Sequence, residues 1–280
     1  MGYQSRYVRR PNPPRIVLTE RDERLILTTY SFRWATRQQL QAIALPAGVT
    51  RANLRLRALF DSRFLDRLAI GTVGAGLQPV YLAGEAAVPL IASRFGIAEL
   101  SVRERLRDAA RCSATMLGHD LRVNDERVGL TRVLGAAGAD LECWLNAAEC
   151  FDAYEARRCL RPDGFAQFVA HRTRYACFQE TDRGTVSLDR WAAKVAGYVR
   201  YRDSGAFTNR YGLTRFRVLV TAPSNARISH LVEATCTHTD RGFWFALSDE
   251  VVGLPDLLQP IWRTLTHAEL QPLVKREGET

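Results

Sequence analysis

Apolar residues recur at three-to-four-residue spacing in three short runs near the start of the chain, after an arm that carries Pro11, Pro13 and Pro14. In the first run Leu25, Ile26 and Tyr30 form the stripe. Thr19 is placed to cap it, and Glu20, Asp22 and Glu23 fill the first turn, where the helix dipole favours acids. In the second, Thr36 and Gln39 have the spacing of a capping box, and Leu40, Ile43 and Ala44 follow until Pro46 and Gly48 break the pattern. Thr50 caps the third run, whose apolar face is Ala52, Leu56, Leu59 and Phe60. Arg51 and Arg55, four apart, share a separate stripe flanked by Asn53 and Arg57. Strand patterns then replace the helical period, with residues 64–70 and 79–82 reading as strands about a tip that holds Gly71, Gly74 and Gly76. Three helices and a hairpin predict a winged helix-turn-helix domain over 18–96, preceded by a flexible basic, Pro-rich arm over 1–17.

Residues 85–95 close that domain as a short helix, and a mostly helical stretch runs from 104 to about 132 with an interruption near Gly118. Strands are expected at 141–145, 163–170, 175–180, 216–221 and 243–247, with helices at 188–201 and 224–235. The order helix, three strands, helix, strand, helix, strand predicts an α/β domain with a mixed sheet over 97–270, and leaves 271–280 as a tail.

Composition adds a class and a partner. At 280 residues, 46% hydrophobic and 25% charged, the chain has the length and apolar content to bury a sizeable core, which excludes disorder for most of it. Its longest apolar stretches, such as 86–92, fall far short of the roughly 18 residues a bilayer span needs. Residues 1–20 carry arginines and prolines instead of a signal-peptide core, so a cytoplasmic protein without a membrane partner is expected. The net charge of +9 is uneven: residues 1–68 hold 13 Arg and no Lys against five acids, while the remainder holds 26 basic and 25 acidic residues. A positive field concentrated in the first quarter points to double-stranded DNA, with Arg51, Asn53, Arg55 and Arg57 as its contacts. The glycine-rich tip has no Gly-Lys-Ser/Thr ending and no helix directly after it, so it reads as a wing tip and not as a P-loop. Cys112, Cys143, Cys150, Cys159, Cys177 and Cys236 form no CxxC and are expected as reduced thiols.

The near-neutral part carries the candidate chemistry. Asp163 stands in Arg-Pro-Asp-Gly at the head of one strand; Glu180 and Asp182 stand in Glu-Thr-Asp-Arg-Gly-Thr at the end of the next; Lys194 follows on a helix. Adjacent strands would bring the carboxylates together, and two such oxygen ligands are the minimum for holding Mg²⁺ or Mn²⁺ beside a phosphate, with a Lys to orient the nucleophile or stabilise charge. The bland alternative is a Pro-Asp-Gly turn and a solvated strand end.

The segments Leu-Arg-Pro-Asp-Gly-Phe-Ala, Phe-Gln-Glu-Thr-Asp-Arg-Gly-Thr and Leu-Gly-His-Asp-Leu-Arg-Val-Asn-Asp (117–125), with Lys194 and Tyr198 on the helix after them, resemble the plasmid replication-relaxation family over about 18–221. The resemblance implies a protein of mobile elements that acts in replication, DNA relaxation or conjugative mobilisation. It also implies a relation to MobC-type relaxases and a restriction-endonuclease-like PD-(D/E)XK fold. In that pattern Asp163 and Glu180 are the two metal-binding acids. Asp182 occupies the position where a Lys is usual, Lys194 replaces that Lys from the helix, and Glu126 is the extra acid some members use, with Asp125 equally placed.

Two readings follow. One is a Mg²⁺- or Mn²⁺-dependent endonuclease or relaxase that nicks origin DNA. The other is a non-catalytic origin-binding or regulatory protein on a nuclease-like scaffold, working with other mobilisation or replication proteins. His119, His171, His230, His238 and His267 never form a His-hydrophobe-His motif, which disfavours a histidine-metal relaxase. Tyr198 and Tyr201 lie close enough to the acids in sequence to serve as nucleophiles, or as core aromatics.

Overall fold

Thr19 and Thr36 both cap as their spacing predicts, each accepting from the backbone amide three residues on (3.3 and 3.2 Å) while that residue's side chain, Asp22 or Gln39, returns a bond to the cap amide (2.8 and 2.9 Å). The computed structural model describes residues 7–44, 48–72, 76–111, 113–155 and 158–274. Residues 1–6, Pro46, Gly74, Cys112 and positions 275–280 of the expected tail lie outside them. The start of that tail, 271–274, is packed in, with Gln271 bridging to Trp262, and with Leu273 and Val274 buried in a core cluster. The chain divides into two units, Met1–Asn124 and Asp125–Thr280.

The first unit runs α1 (Glu20–Phe32), β1 (Ala35–Thr36), α2 (Arg37–Ile43), α3 (Val49–Asp61), β2 (Leu65–Thr72), β3 (Gly76–Ala83), a single 3₁₀ turn (Glu85–Ala87), α4 (Val88–Phe95), α5 (Glu99–Ala110) and the start of α6 (Ala114–Ala136). Gly48, not Thr50, caps α3. The two-residue β1 was not apparent in the sequence; it pairs antiparallel with β3, making a three-stranded sheet of order β1-β3-β2. α6 is continuous through Gly118, and the interruption lies instead between Ala110 and Ala114. The hydropathy pattern placed the domain division at 96/97. It falls at 124/125 because α5 and early α6 are bonded to the helices before them: Trp34 Nε1 donates to the Ala109 carbonyl (3.0 Å), Gln39 Nε2 to that of Leu121 (2.8 Å) and Asn124 Nδ2 to those of Phe32 and Trp34 (3.1 and 2.8 Å).

The second unit continues with the end of α6, β4 (Asp140–Asn146), α7 (Ala147–Cys150), β5 (Asp152–Glu155), β6 (Arg158–Leu160), β7 (Gly164–Ala170), β8 (Thr173–Thr181), α8 (Leu188–Asp203), α9 (Ala206–Tyr211), β9 (Arg217–Ala222), α10 (Asn225–Cys236), β10 (Phe243–Leu247), α11 (Ser248–Gly253) and β11 (Arg263–Thr264). Six strands form one mixed sheet of order β11-β10-β9-β8-β7-β4. β8, β9 and β10 run parallel and the other pairings are antiparallel. Because strand side chains alternate, β8 sends Ala176 and Phe178 into a core with α8 and α10, and sends Tyr175 and Cys177 into a second core with α6. The sheet is therefore covered on both faces, as the buried run Tyr175–Thr181 requires. β5 and β6 form a small antiparallel hairpin whose strands are too short for their alternation to register in the sequence.

Candidate functional site

In the first unit, Arg51 and Asn53 are exposed at the start of α3. The other two candidate DNA contacts, Arg55 and Arg57, are part-buried and bonded within the unit. Arg55 is clamped on the buried Asp22, with Nε to Oδ1 at 2.6 Å, and donates to the Val17 carbonyl at 3.2 Å. Arg57 donates to Asp61 Oδ2 and to the Val8 carbonyl, both at 2.8 Å, and lies near the ring of Phe60. Further bonds come from the arm, which the sequence reads as flexible. Arg9 pairs with Asp66 and stacks on Phe60 at 4.1 Å, while Arg10 donates its amide to Asp61 at 3.1 Å, so residues 8–17 are tied along the C-terminal half of α3.

In the second unit, Gly164 pairs with Gln179 across β7 and β8, so one step further along that register Asp163 stands opposite Glu180. The Asp163 amide donates to the Gln179 carbonyl (3.1 Å), and its Oδ2 accepts from the Thr181 amide (2.8 Å). Glu180 shares the sheet face of Phe178, beneath α8. There Lys194 Nζ bonds one carboxylate oxygen and the Tyr198 hydroxyl donates to the other at 2.5 Å. Burial pushes the Glu180 carboxyl up to about 7, Lys194 opposing and Asp163 adding to the shift. Burial acts to lower Lys194, but the carboxylates outweigh it and raise the ammonium. Burial and the Glu180 carboxylate hold the Tyr198 phenol well above its ordinary range. Cys150, its Sγ 3.7 Å from the Pro162 carbonyl oxygen, is pushed up to about 12 by burial, with Glu180 and Asp163 adding to it.

Two expected members of this cluster lie elsewhere. Asp182 is paired with Arg227 of α10 (2.5 Å) and accepts from the Gly184 amide (2.6 Å), which closes the loop after β8. Glu126 is on the other sheet face, fully buried, accepting from Gln179 Nε2 (2.9 Å), the hydroxyls of Thr181 and Thr221 (2.8 Å each) and that of Ser248. Side chains at 179 and 181 point away from that of 180, so an acid bonded to the first two is separated by the sheet from Glu180. Burial raises the Glu126 carboxyl, against the four donors.

A family model described as Replication-relaxation matches residues 28–216, more than half of the chain. The chain belongs to the replication-relaxation family. No curated protein and no solved structure matches it.

The metal that the nuclease-like pattern implies can be tested against the donors of this replication-relaxation protein. Both Glu180 oxygens are taken by Lys194 and Tyr198, and no group of three or more His, Cys, Asp or Glu suited to a metal occurs among the described residues. As arranged, the pair neutralises an ammonium and does not fit a divalent ion. No helix among the described residues is long and apolar enough to cross a membrane. Sequence reasoning overlooked Asp22 as the partner of Arg55, having read it only as a dipole-favoured acid. It also overlooked Gln179, Thr181, Thr221 and Ser248, whose convergence is set by sheet pairing and not by any local motif.

Proposed function

We propose that this replication-relaxation protein binds double-stranded DNA of a plasmid or integrative element and acts at an origin of replication or transfer, in company with other mobilisation or replication proteins. The carrying observation is the exposed pair Arg51 and Asn53 at the start of α3, in a unit whose three helices and β1-β3-β2 sheet have the order of a winged helix. The excess of Arg in the first 68 residues supplies the field for phosphate. The second unit serves as a scaffold. The order α6, β4, β7, β8, α8, β9 supports a nuclease-like fold, and its acids are neutralised internally by Lys194 and Arg227. The test is fluorescence anisotropy of the full chain on a random-sequence duplex over a salt series. Affinity should fall steeply with salt, and Arg51→Ala should flatten the log–log slope by about one. Absence of binding at low salt would remove the reading.

A second reading, metal-dependent nicking, is favoured by the placement of Asp163 directly opposite Glu180. It requires Lys194 to leave Glu180. Nicking of supercoiled DNA in Mn²⁺ that Asp163→Ala abolishes, with duplex affinity unchanged, would establish it over the scaffold reading.

A further inference from the structure

Between the arm and α3 lies a cleft of about 280 Å³, walled by Arg10 and Arg15 on one side and by Leu54, Arg55, Arg57 and Ala58 on the other. We infer that this cleft is a second contact for the DNA backbone, engaging a phosphate and its sugar beside the exposed start of α3; the inference rests on the DNA-binding reading.

Three observations carry it. The first is charge. Four guanidiniums line the cleft, and their carboxylate partners are Asp22, held by Arg55, and Asp61, shared by Arg10 and Arg57, which leaves two positive charges in excess. The second is continuity. Arg51, Leu54, Arg55 and Ala58 follow one another at spacings of three, one and three, so they form one stripe along α3, and the stripe that begins at exposed Arg51 runs into the cleft. The third is chemical character. Leu54 is 66% exposed, and with the rings of Pro13 and Pro14 it gives the cleft an apolar lining suited to a deoxyribose, while the guanidiniums suit a phosphate. Arg15 is exposed, so it can reach a phosphate at little expense to folding.

The arm is therefore part of the interface instead of a tether. Ion pairs from α3 and β2 hold it in place, so its cations are positioned before DNA arrives.

The test is the salt dependence of binding to a random-sequence duplex, measured by anisotropy for the full-length wild type, Arg15→Ala, Arg15→Lys, Arg51→Ala and the Arg15→Ala/Arg51→Ala double variant, each checked for folding by circular dichroism. Removing a cation that neutralises one phosphate flattens the log–log slope by about one. Arg15→Ala should flatten it by that amount, the double variant by about twice as much, and Arg15→Lys should keep the wild-type slope. A wild-type slope in Arg15→Ala, with Arg51→Ala flattened, overturns the cleft and leaves DNA binding standing. A wild type that fails to bind the duplex overturns both.

Discussion

Arg55 is clamped on Asp22: the guanidinium of α3 closes on a carboxylate that is 2% exposed and that also accepts from the Thr19 amide at the start of α1. A residue that sequence periodicity assigns to a DNA-facing stripe thus joins two helices of its own unit. Arg55→Ala should lower stability by about 2 kcal/mol, because it strands a buried charge. Arg51→Ala should change stability by less than about 0.5 kcal/mol, since its side chain is exposed. Urea unfolding of the two variants checks this, and equal stability would show that the clamp contributes nothing. The pH dependence adds a second readout. Burial alone would raise Asp22, but hydrogen bonds from Arg55 and Thr19 carry it below its ordinary value. A depressed carboxylate stabilises above its unfolded pKa and loses that contribution as pH falls through the folded one. The gap between wild type and Arg55→Ala should therefore be widest near neutrality and close on acidification.

Sequence carried the longer elements and the cross-strand pair, but not the short strands β1, β5 and β6, nor which charges are used up inside the fold. The Asp163–Glu180 juxtaposition was legible because strand heads and ends read off the chain meet in any antiparallel pairing of consecutive strands. Glu126 was misplaced because its helix could be recognised and its sheet face could not. That face depends on which side of the sheet α6 crosses, and no local periodicity encodes it. The partners of Arg55 and Arg57 were hidden for a related reason: a guanidinium on a polar stripe looks the same whether it faces solvent, Asp22 or the arm.

Lys194→Met removes the counter-ion of a buried acid, and its effect should depend on pH. In the wild type Glu180 titrates at about 7, above its ordinary 4.5, so the folded chain retains a proton that the unfolded chain releases. Stability from this group is complete below the unfolded pKa and is lost as pH rises from there through about 7. Without Lys194 only the Tyr198 hydrogen bond still opposes burial and the folded pKa climbs further, so the loss continues beyond that point at about 1.4 kcal/mol per pH unit. Urea midpoints at about pH 6 and about pH 8 should separate the variant from wild type more at the higher pH. A gap that does not change with pH would show that Lys194 is not the controlling charge.

Glu126 should behave as a structural hub. Glu126→Ala leaves the donors of Gln179, Thr181, Thr221 and Ser248 without their shared acceptor and should lower stability by about 3 kcal/mol. Glu126→Gln keeps one acceptor oxygen in a neutral group of the same shape, and at neutral pH it should lose less than half as much. Thermal denaturation of both distinguishes this role from that of a metal ligand, for which the two substitutions would be equally damaging to activity and nearly silent in stability.

Gly129 decides how closely α6 approaches α11. A Cβ built there would stand 2.5 Å from the Val251 carbonyl oxygen and 3.0 Å from Val252 Cα, both backbone atoms that cannot rotate away. In an open helix Gly→Ala stabilises by up to about 1 kcal/mol. Gly135, on the same helix with nothing within 4 Å of such a Cβ, should follow that rule. Gly129→Ala should reverse the sign and destabilise by about 1–3 kcal/mol, because α11 must move and with it Ser248, whose hydroxyl bonds Glu126. Thermal unfolding of the two alanine variants side by side makes the comparison internal. If both variants rise in stability, the packing of α6 on α11 is looser than the Gly129 contact implies.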